Sequence, residues 1–284
     1  MNIKKYRFLP IILSAMIFSA CGQQPAATTT AASTTSAAVT EAAPETTAAP
    51  ETTTEPAALV DIPEGAQYAD FRNGMPAGFE ASDGWCNGSM FNVTWRKSNV
   101  TFNDGKMQLV IDKDSKPKGG IPYSGGEFRS KDFYSYGRYE MSIKAIKNDG
   151  VVSSLFTYTG PSDNNPWDEI DIEILGKDTT KVQFNYFVDG KGGHEYMHDL
   201  GFDASEDFHT YAFEWRKDSI TWFVDGVEVH KVEREPEKLP QTPGKIMANA
   251  WCGTGVDGWL NAFKDDALPI SAEYEWLVFT PFED

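Results

Sequence analysis

The run Trp167-Asp168-Glu169-Ile170-Asp171-Ile172-Glu173-Ile174-Leu175-Gly176 alternates acidic and isoleucine side chains over the length of one strand. Successive side chains of a strand point to opposite faces. Ile170, Ile172 and Ile174 therefore share one face, and Trp167, Glu169, Asp171 and Glu173 share the other. An all-isoleucine face belongs in a core, which fixes the register and leaves three carboxylates in a row opposite. Such a row repels itself unless at least one member holds a proton, so the pattern predicts pKa values pushed apart. Glu169 and Glu173 are about 13 Å apart at Cα by strand rise, and twist with side-chain reach brings their oxygens closer. A nucleophilic carboxylate and a proton-donating carboxyl roughly 5–5.5 Å apart are what retaining cleavage of a glycosidic bond requires. The plain alternative is a solvated strand face on an acidic protein. The neighbouring Trp167 and the aromatic and amide residues elsewhere favour chemistry.

The elements that must position these groups are strands. Tyr139, Met141, Ile143 and Ala145 alternate with Glu140, Ser142 and Lys144. Val182, Phe184, Tyr186 and Val188 alternate with Gln183, Asn185, Phe187 and Asp189. Tyr211, Phe213 and Trp215 lead through Lys217-Asp218 to Ile220, Trp222 and Val224, and Asp225-Gly226 reads as a tight hairpin turn into Val227–Val232. Ile246, Ala248 and Ala250 oppose Met247, Asn249 and Trp251, and a last strand spans Ala272 to Phe279. No long stretch carries a helical period. Many short antiparallel strands predict an all-β fold, a β-sandwich of the jelly-roll kind with a concave substrate cleft. Aromatic rings in such a groove stack on the C–H faces of pyranose rings.

Residues 1–20 read as a signal peptide: Lys4, Lys5 and Arg7 precede an apolar run, Phe8 to Ala20, too short to span a bilayer. Ser19-Ala20-Cys21-Gly22 resembles a bacterial lipobox, which makes Cys21 the expected site of lipidation. Residues 21–59 are dominated by Thr, Ala, Pro, Glu and Ser and predict a disordered stalk, because so few large apolar residues cannot offset the entropy of ordering. Residues 60–284 hold all eight tryptophans and form the predicted catalytic domain. The chain is thus expected on the extracellular face, touching the membrane only through a lipid anchor, or secreted if Cys21 merely follows an ordinary signal peptide. A net charge of −17 speaks against nucleic acid or an anionic membrane as partner. After Cys21 only Cys86 and Cys252 remain, either one disulfide or two free thiols. His194, His198, His209 and His230 show no zinc spacing and are read as loop or edge residues.

The segment from Trp167 to Gly176 resembles the active strand of the jelly-roll β-glucanases known as glycoside hydrolase family sixteen. The continuation from Lys177 to Tyr186 is similar to that family's bacterial lichenases. So are Phe91-Asn92, Thr94-Trp95-Arg96, Val151 to Gly160, Leu200 to Ala204 and Pro243 to Met247. The resemblance covers most of residues 68 to 280. It implies Glu169 as nucleophile, Glu173 as acid/base, Asp171 as the residue assisting the nucleophile and Trp167 as a positioning residue. It further implies substrate-binding roles for Asn87, Glu127, Arg129, Phe156, Tyr158, Asn185, Asn249, Trp251 and Trp259.

Departures from the family pattern are informative. The bridge carried by well-known lichenases falls on positions that read Val93 and Gly125 here. Phe187 replaces a usual tyrosine, and Glu275 stands where the family's structural calcium takes an aspartate, so calcium is an open expectation and no other cofactor is required. Laminarinases of the family insert a residue before the last glutamate, whereas this chain keeps the regular Glu-Ile-Asp-Ile-Glu. The implied substrate is therefore mixed-linkage β-1,3-1,4-glucan, cleaved by a monomer. Laminarinase, transglycosylase and a non-catalytic glucan-binding lipoprotein stand as alternatives.

Overall fold

Period-two alternation becomes strands wherever one side of the pleat is apolar enough to be buried. The computed structural model describes residues 58–283; the signal segment, Cys21 and the stalk up to residue 57 lie outside the described residues. In chain order come β1 (Gln67–Asp70), β2 (Phe79–Ala81), β3 (Val93–Trp95), β4 (Val100–Asn103), β5 (Lys106–Lys118), β6 (Ile121–Ser130), β7 (Gly137–Lys144) and β8 (Val151–Thr159). Then follow β9 (Asp168–Leu175), β10 (Lys181–Phe187), β11 (Tyr196–Asp199), β12 (His209–Trp215), β13 (Ser219–Val224), β14 (Val227–Glu233), β15 (Lys245–Cys252) and β16 (Ile270–Pro281). The one α-helix among the described residues, α1 (Asp257–Leu260), lies between β15 and β16.

Hydrogen bonding runs β11-β10-β9-β8-β15-β6 through the sheet that carries the acidic strand. It runs β5-β16-β7-β12-β13-β14 through the sheet behind, and the two meet where β5 pairs with β6. The result is an all-β, jelly-roll-like sandwich, as the alternation predicts. Between the sheets lie Ile170, Ile172 and Ile174 from β9, Phe184 from β10, and Tyr139, Met141, Phe213, Trp215 and Trp222 from the sheet behind, each 0–1% exposed. Tyr139 stacks on Phe213 at 4.7 Å between ring centroids. Fully burying one such side chain stabilises the fold by about 1.5–3 kcal/mol, so the isoleucine face holds the register of the acidic face opposite.

The predicted turn at Asp225-Gly226 joins β13 to β14, with φ of 48° and 76°. Both central residues are left-handed, as a two-residue hairpin matching strand twist requires. Asp225 also accepts the backbone N–H of Thr210 at 2.9 Å, which ties the turn to β12.

Two expectations meet the structure differently. Val93 and Gly125 are adjacent: a Cβ on Gly125 would lie 3.0 Å from Val93 Cγ2, so valine fills the space at the family's bridge position. Cys86 and Cys252, by contrast, are not bridged; both are free. The pairing of Phe91 with Gly253 sets Asn92 rather than Cys86 against Cys252. The Cys252 Sγ accordingly faces the Asn92 carbonyl at 3.6 Å.

Candidate active site

Strand register assembles the site. β9 pairs with β8 from Asp168↔Thr159 to Leu175↔Val152, and with β10 from Glu169↔Phe187 to Glu173↔Gln183, with no register shift in either ladder. The regular spacing read from the sequence is therefore kept, and no bulge re-aims a carboxylate. Beside Glu169 stand Tyr158 and Phe187, beside Asp171 stand Phe156 and Asn185, and beside Glu173 stand Ser154 and Gln183. Further across the same sheet, Asn249 of β15 pairs with Glu127 of β6, and Met247 with Arg129. Nearly all the predicted residues thus gather on one face around the three carboxylates.

Glu169 is held from two sides. Trp167 donates its indole Nε1–H to Oε2 at 2.6 Å, and Asp171 hydrogen-bonds the same carboxylate. Trp167 itself is stacked on Phe187 at 5.1 Å, and its carbonyl accepts the Gly190 N–H at 2.8 Å. Gly190 has a φ of +73°, and a Cβ there would press against the indole at 3.3 Å, so glycine suits that turn. Glu173 Oε2 accepts from Gln183 Nε2 at 3.0 Å, and Gln183 Oε1 accepts from Trp259 Nε1 at 3.1 Å.

All three carboxyls lie above their ordinary values. Burial is the largest influence on each. It raises Glu169 to about 7, against the Trp167 and Asp171 hydrogen bonds that favour its charged form. Glu173 is raised to about 8 by burial and then by the charge on Glu169. Asp171 is pushed well above the usual carboxylate range by burial, then by the charges on Glu169 and Glu173. Burial thus drives Asp171 toward its neutral form, the form able to donate to Glu169. Glu169 and Glu173 remain partly open to the cleft, while Asp171 is buried.

Asp168, which the sequence reading passed over, anchors the start of this strand. Its carboxylate accepts the backbone N–H groups of Asp189 (3.1 Å), Gln241 (2.9 Å) and Thr242 (3.0 Å), and it is 6% exposed. A buried carboxylate with three charge-assisted partners is satisfied and stabilising. It ties Trp167 and Glu169 to two loops at once.

The remaining predicted residues take definite places. Glu127 is buried, accepts from Ser82 Oγ at 2.6 Å and from Asn249 Nδ2 at 3.5 Å, and is raised by burial to about 7. Arg129 pairs with Glu80 at 2.8 Å and lies 5.9 Å from the Trp85 ring. Asn87 accepts the Trp95 indole N–H at 2.6 Å. Asn185 Oδ1 accepts the His194 backbone N–H at 3.2 Å. Tyr158 is raised to about 12 by burial and then by the charge on Glu169, and glycine at 160 leaves room for its hydroxyl. Phe156 is 8% exposed. Trp251 is only 2% exposed and lies 4.2 Å from Phe91 and 6.0 Å from Trp259, so it backs the wall that carries Trp259.

Gln183, Ser154, Ser82 and Trp85 were not singled out from the sequence. For Gln183 the signal existed, because the alternation that puts Asn185 on the cleft face puts Gln183 there too. Ser82 and Trp85 lie outside the strands, where no period marks a face. For the calcium expectation, the Glu275 carboxylate is engaged by Ser142 Oγ at 2.8 Å. No group of three or more His, Cys, Asp or Glu suited to a metal occurs among the described residues.

The family model described as Glycosyl hydrolases family 16 matches residues 87–276. A xylanase/beta-glucanase of Ruminococcus flavefaciens is 56% identical over 215 residues, which are 74% of this chain and 26% of that protein. A beta-glucanase of Acetivibrio thermocellus is 54% identical over 225 residues, 79% of this chain and 64% of its own length. The chain thus spans less than two thirds of either relative. A solved beta-1,3-1,4-glucanase (lichenase) derived from a mouse hindgut metagenome superposes with a TM-score of 0.72 at 48% identity, covering 76% of this chain and 99% of that one.

Proposed function

We propose that this chain, which belongs to glycosyl hydrolases family 16, is an endo-β-glucanase that hydrolyses β-1,4 bonds following 3-linked glucose units in mixed-linkage β-glucan. The observation that carries the reading is the geometry of one strand face: Glu169, Asp171 and Glu173 stand in unbroken register on β9, Glu169 held by the Trp167 indole at 2.6 Å and Glu173 by the Gln183 amide at 3.0 Å. The unbulged β9 and the lichenase-like flanks support the mixed-linkage substrate.

In the scheme, Glu169 attacks the anomeric carbon while Glu173 gives its proton to the departing glycosidic oxygen. A covalent glycosyl ester forms on Glu169. Glu173, now a carboxylate, takes a proton from water, and the resulting hydroxide attacks the same carbon and frees Glu169. Two inversions leave the β configuration retained. Asp171 supplies the hydrogen bond that keeps Glu169 ionised in a desolvating site, and Trp167 fixes the carboxylate's orientation.

The protein is incubated in parallel with barley mixed-linkage glucan, laminarin and carboxymethyl-cellulose, and products are sized by chromatography. Tri- and tetrasaccharides from the mixed-linkage glucan alone, appearing first as β anomers by proton NMR, are expected. Cleavage of laminarin instead would move the chain to another activity. The charged start, the apolar run and Ser19-Ala20-Cys21-Gly22 support export and a lipid anchor on Cys21, with the enzyme acting as a monomer outside the cell. Incorporation of labelled fatty acid, lost in Cys21→Ala, tests the anchor.

A further inference from the structure

Gln183 lies directly across the β9–β10 ladder from Glu173 and is 6% exposed. Its amide makes two hydrogen bonds of opposite sense: Nε2–H donates to Glu173 Oε2 at 3.0 Å, and Oε1 accepts from the Trp259 indole at 3.1 Å. An indole N–H can only donate. Trp259 therefore dictates which end of the amide it meets, and the –NH2 end is left facing Glu173. Trp259 is itself fixed: it lies in α1, its backbone N–H reaches the Val256 carbonyl at 2.8 Å, and its ring lies 6.0 Å from Trp251. The amide is thus locked from the helix side and from the strand side.

A carboxyl oxygen that receives a donor cannot carry the proton toward that donor. We propose that Trp259 and Gln183 form a positioning relay, reserving Oε2 of Glu173 as an acceptor and so keeping the catalytic proton on Oε1. This inference rests on Glu173 being the acid/base. In the first step the proton passes from Oε1 to the glycosidic oxygen as that oxygen's bond to the anomeric carbon breaks and Glu169 bonds to the carbon. In the second step the same Oε1 takes a proton from water. Throughout, the Gln183 donor remains on Oε2 and stabilises the carboxylate when it forms. Gln183 and Trp259 are positioning residues in this role, acting on the reacting atoms only through Glu173.

The test uses Gln183→Leu, which removes both hydrogen bonds, and Trp259→Phe, which keeps an aromatic ring and removes the N–H donor with part of the indole. Each is assayed on mixed-linkage glucan and on a dinitrophenyl oligoglucoside whose leaving group departs without protonation. In Gln183→Leu, kcat on the polymer should fall by about tenfold, a fraction of what general acid catalysis supplies, while KM stays within about twofold. The loss on the dinitrophenyl substrate should be at least about fivefold smaller in both variants, because only proton delivery is impaired. The alkaline limb of kcat/KM should move to higher pH, since a donor to the carboxylate has been lost. Equal losses on the two substrates would overturn the relay, as would a limb moving to lower pH, the mark of a site opened to water. Unchanged kcat in both variants would overturn it too. Melting temperatures check folding, and if Gln183→Leu does not fold, Trp259→Phe carries the test. Glu173→Gln separates the two failures. If it still turns over polymer, the assignment of Glu173 is wrong; if it is inactive while Gln183→Leu matches the parent, the relay alone is wrong.

Discussion

Trp222, on the sheet behind the cleft, donates its indole N–H across 3.1 Å to the backbone carbonyl of Asp171. One hydrogen bond thus crosses the core and fastens the middle of the acidic strand from behind. Trp222 is 1% exposed and stacks on Phe184 at 5.5 Å, so the donor sits on a ring that packing has already fixed. Trp222→Phe should lower unfolding free energy by about 2–3 kcal/mol, from lost volume and one lost hydrogen bond. Urea titration reads this directly, and a stability unchanged within error would show that the crossing bond adds nothing.

In the proposed mechanism Asp171 is a neutral donor to Glu169, so an amide in its place should imitate it. Asp171→Asn should keep within about tenfold of the parent kcat, whereas Asp171→Ala should lose about a hundredfold, as loss of a pre-organised donor to a reacting group does. In Asp171→Ala the acid limb of kcat/KM should move upward, because the bond that lowers Glu169 is gone. Equal activity of the two variants would deny Asp171 the donor role.

Glu127 and Glu169 at about 7, Glu173 at about 8 and Asp171, pushed well above the usual carboxylate range by burial, all lie above their ordinary values of 4.5 for Glu and 3.8 for Asp. The unfolded chain gives up these protons at lower pH than the folded one. Their contribution to stability is therefore full below about pH 4 and is lost as pH rises through about 7 to 8. Glu173→Gln removes one such titration with little change of shape. It should match the parent near pH 4 and exceed it by about 1–3 kcal/mol at pH 9. A variant less stable at pH 9 than the parent would reverse the sign and refute the burial account.

Azide can distinguish the two glutamates by stereochemistry. In Glu173→Ala with an activated aryl substrate, azide should attack the glycosyl ester and release a β-glycosyl azide, the product of two inversions. In Glu169→Ala it should enter from the vacated nucleophile side in a single inversion and give the α product. NMR of the azide products decides, and the same anomer from both variants would contradict the assigned roles.

The sequence by itself determined the face, the order and the register of Glu169, Asp171 and Glu173, because a strand's two-residue period is local and three isoleucines leave only one way to turn it. It also marked Asp225-Gly226 as a hairpin turn, since that turn needs residues tolerant of left-handed backbone. It could not determine which side chains from other strands would stand beside those carboxylates. Gln183 meets Glu173 through a neighbouring ladder, Trp259 arrives from a helix 76 residues further on, and Asp168 is satisfied by loops near Asp189 and Gln241. The same non-local pairing set Asn92, not Cys86, against Cys252 and turned Trp251 into a support for the wall. The proton distribution also belongs to the tertiary structure alone. Three carboxylates on one strand can be read from spacing, but which of them stays protonated depends on burial and hydrogen-bond partners that exist only once the sheets have closed.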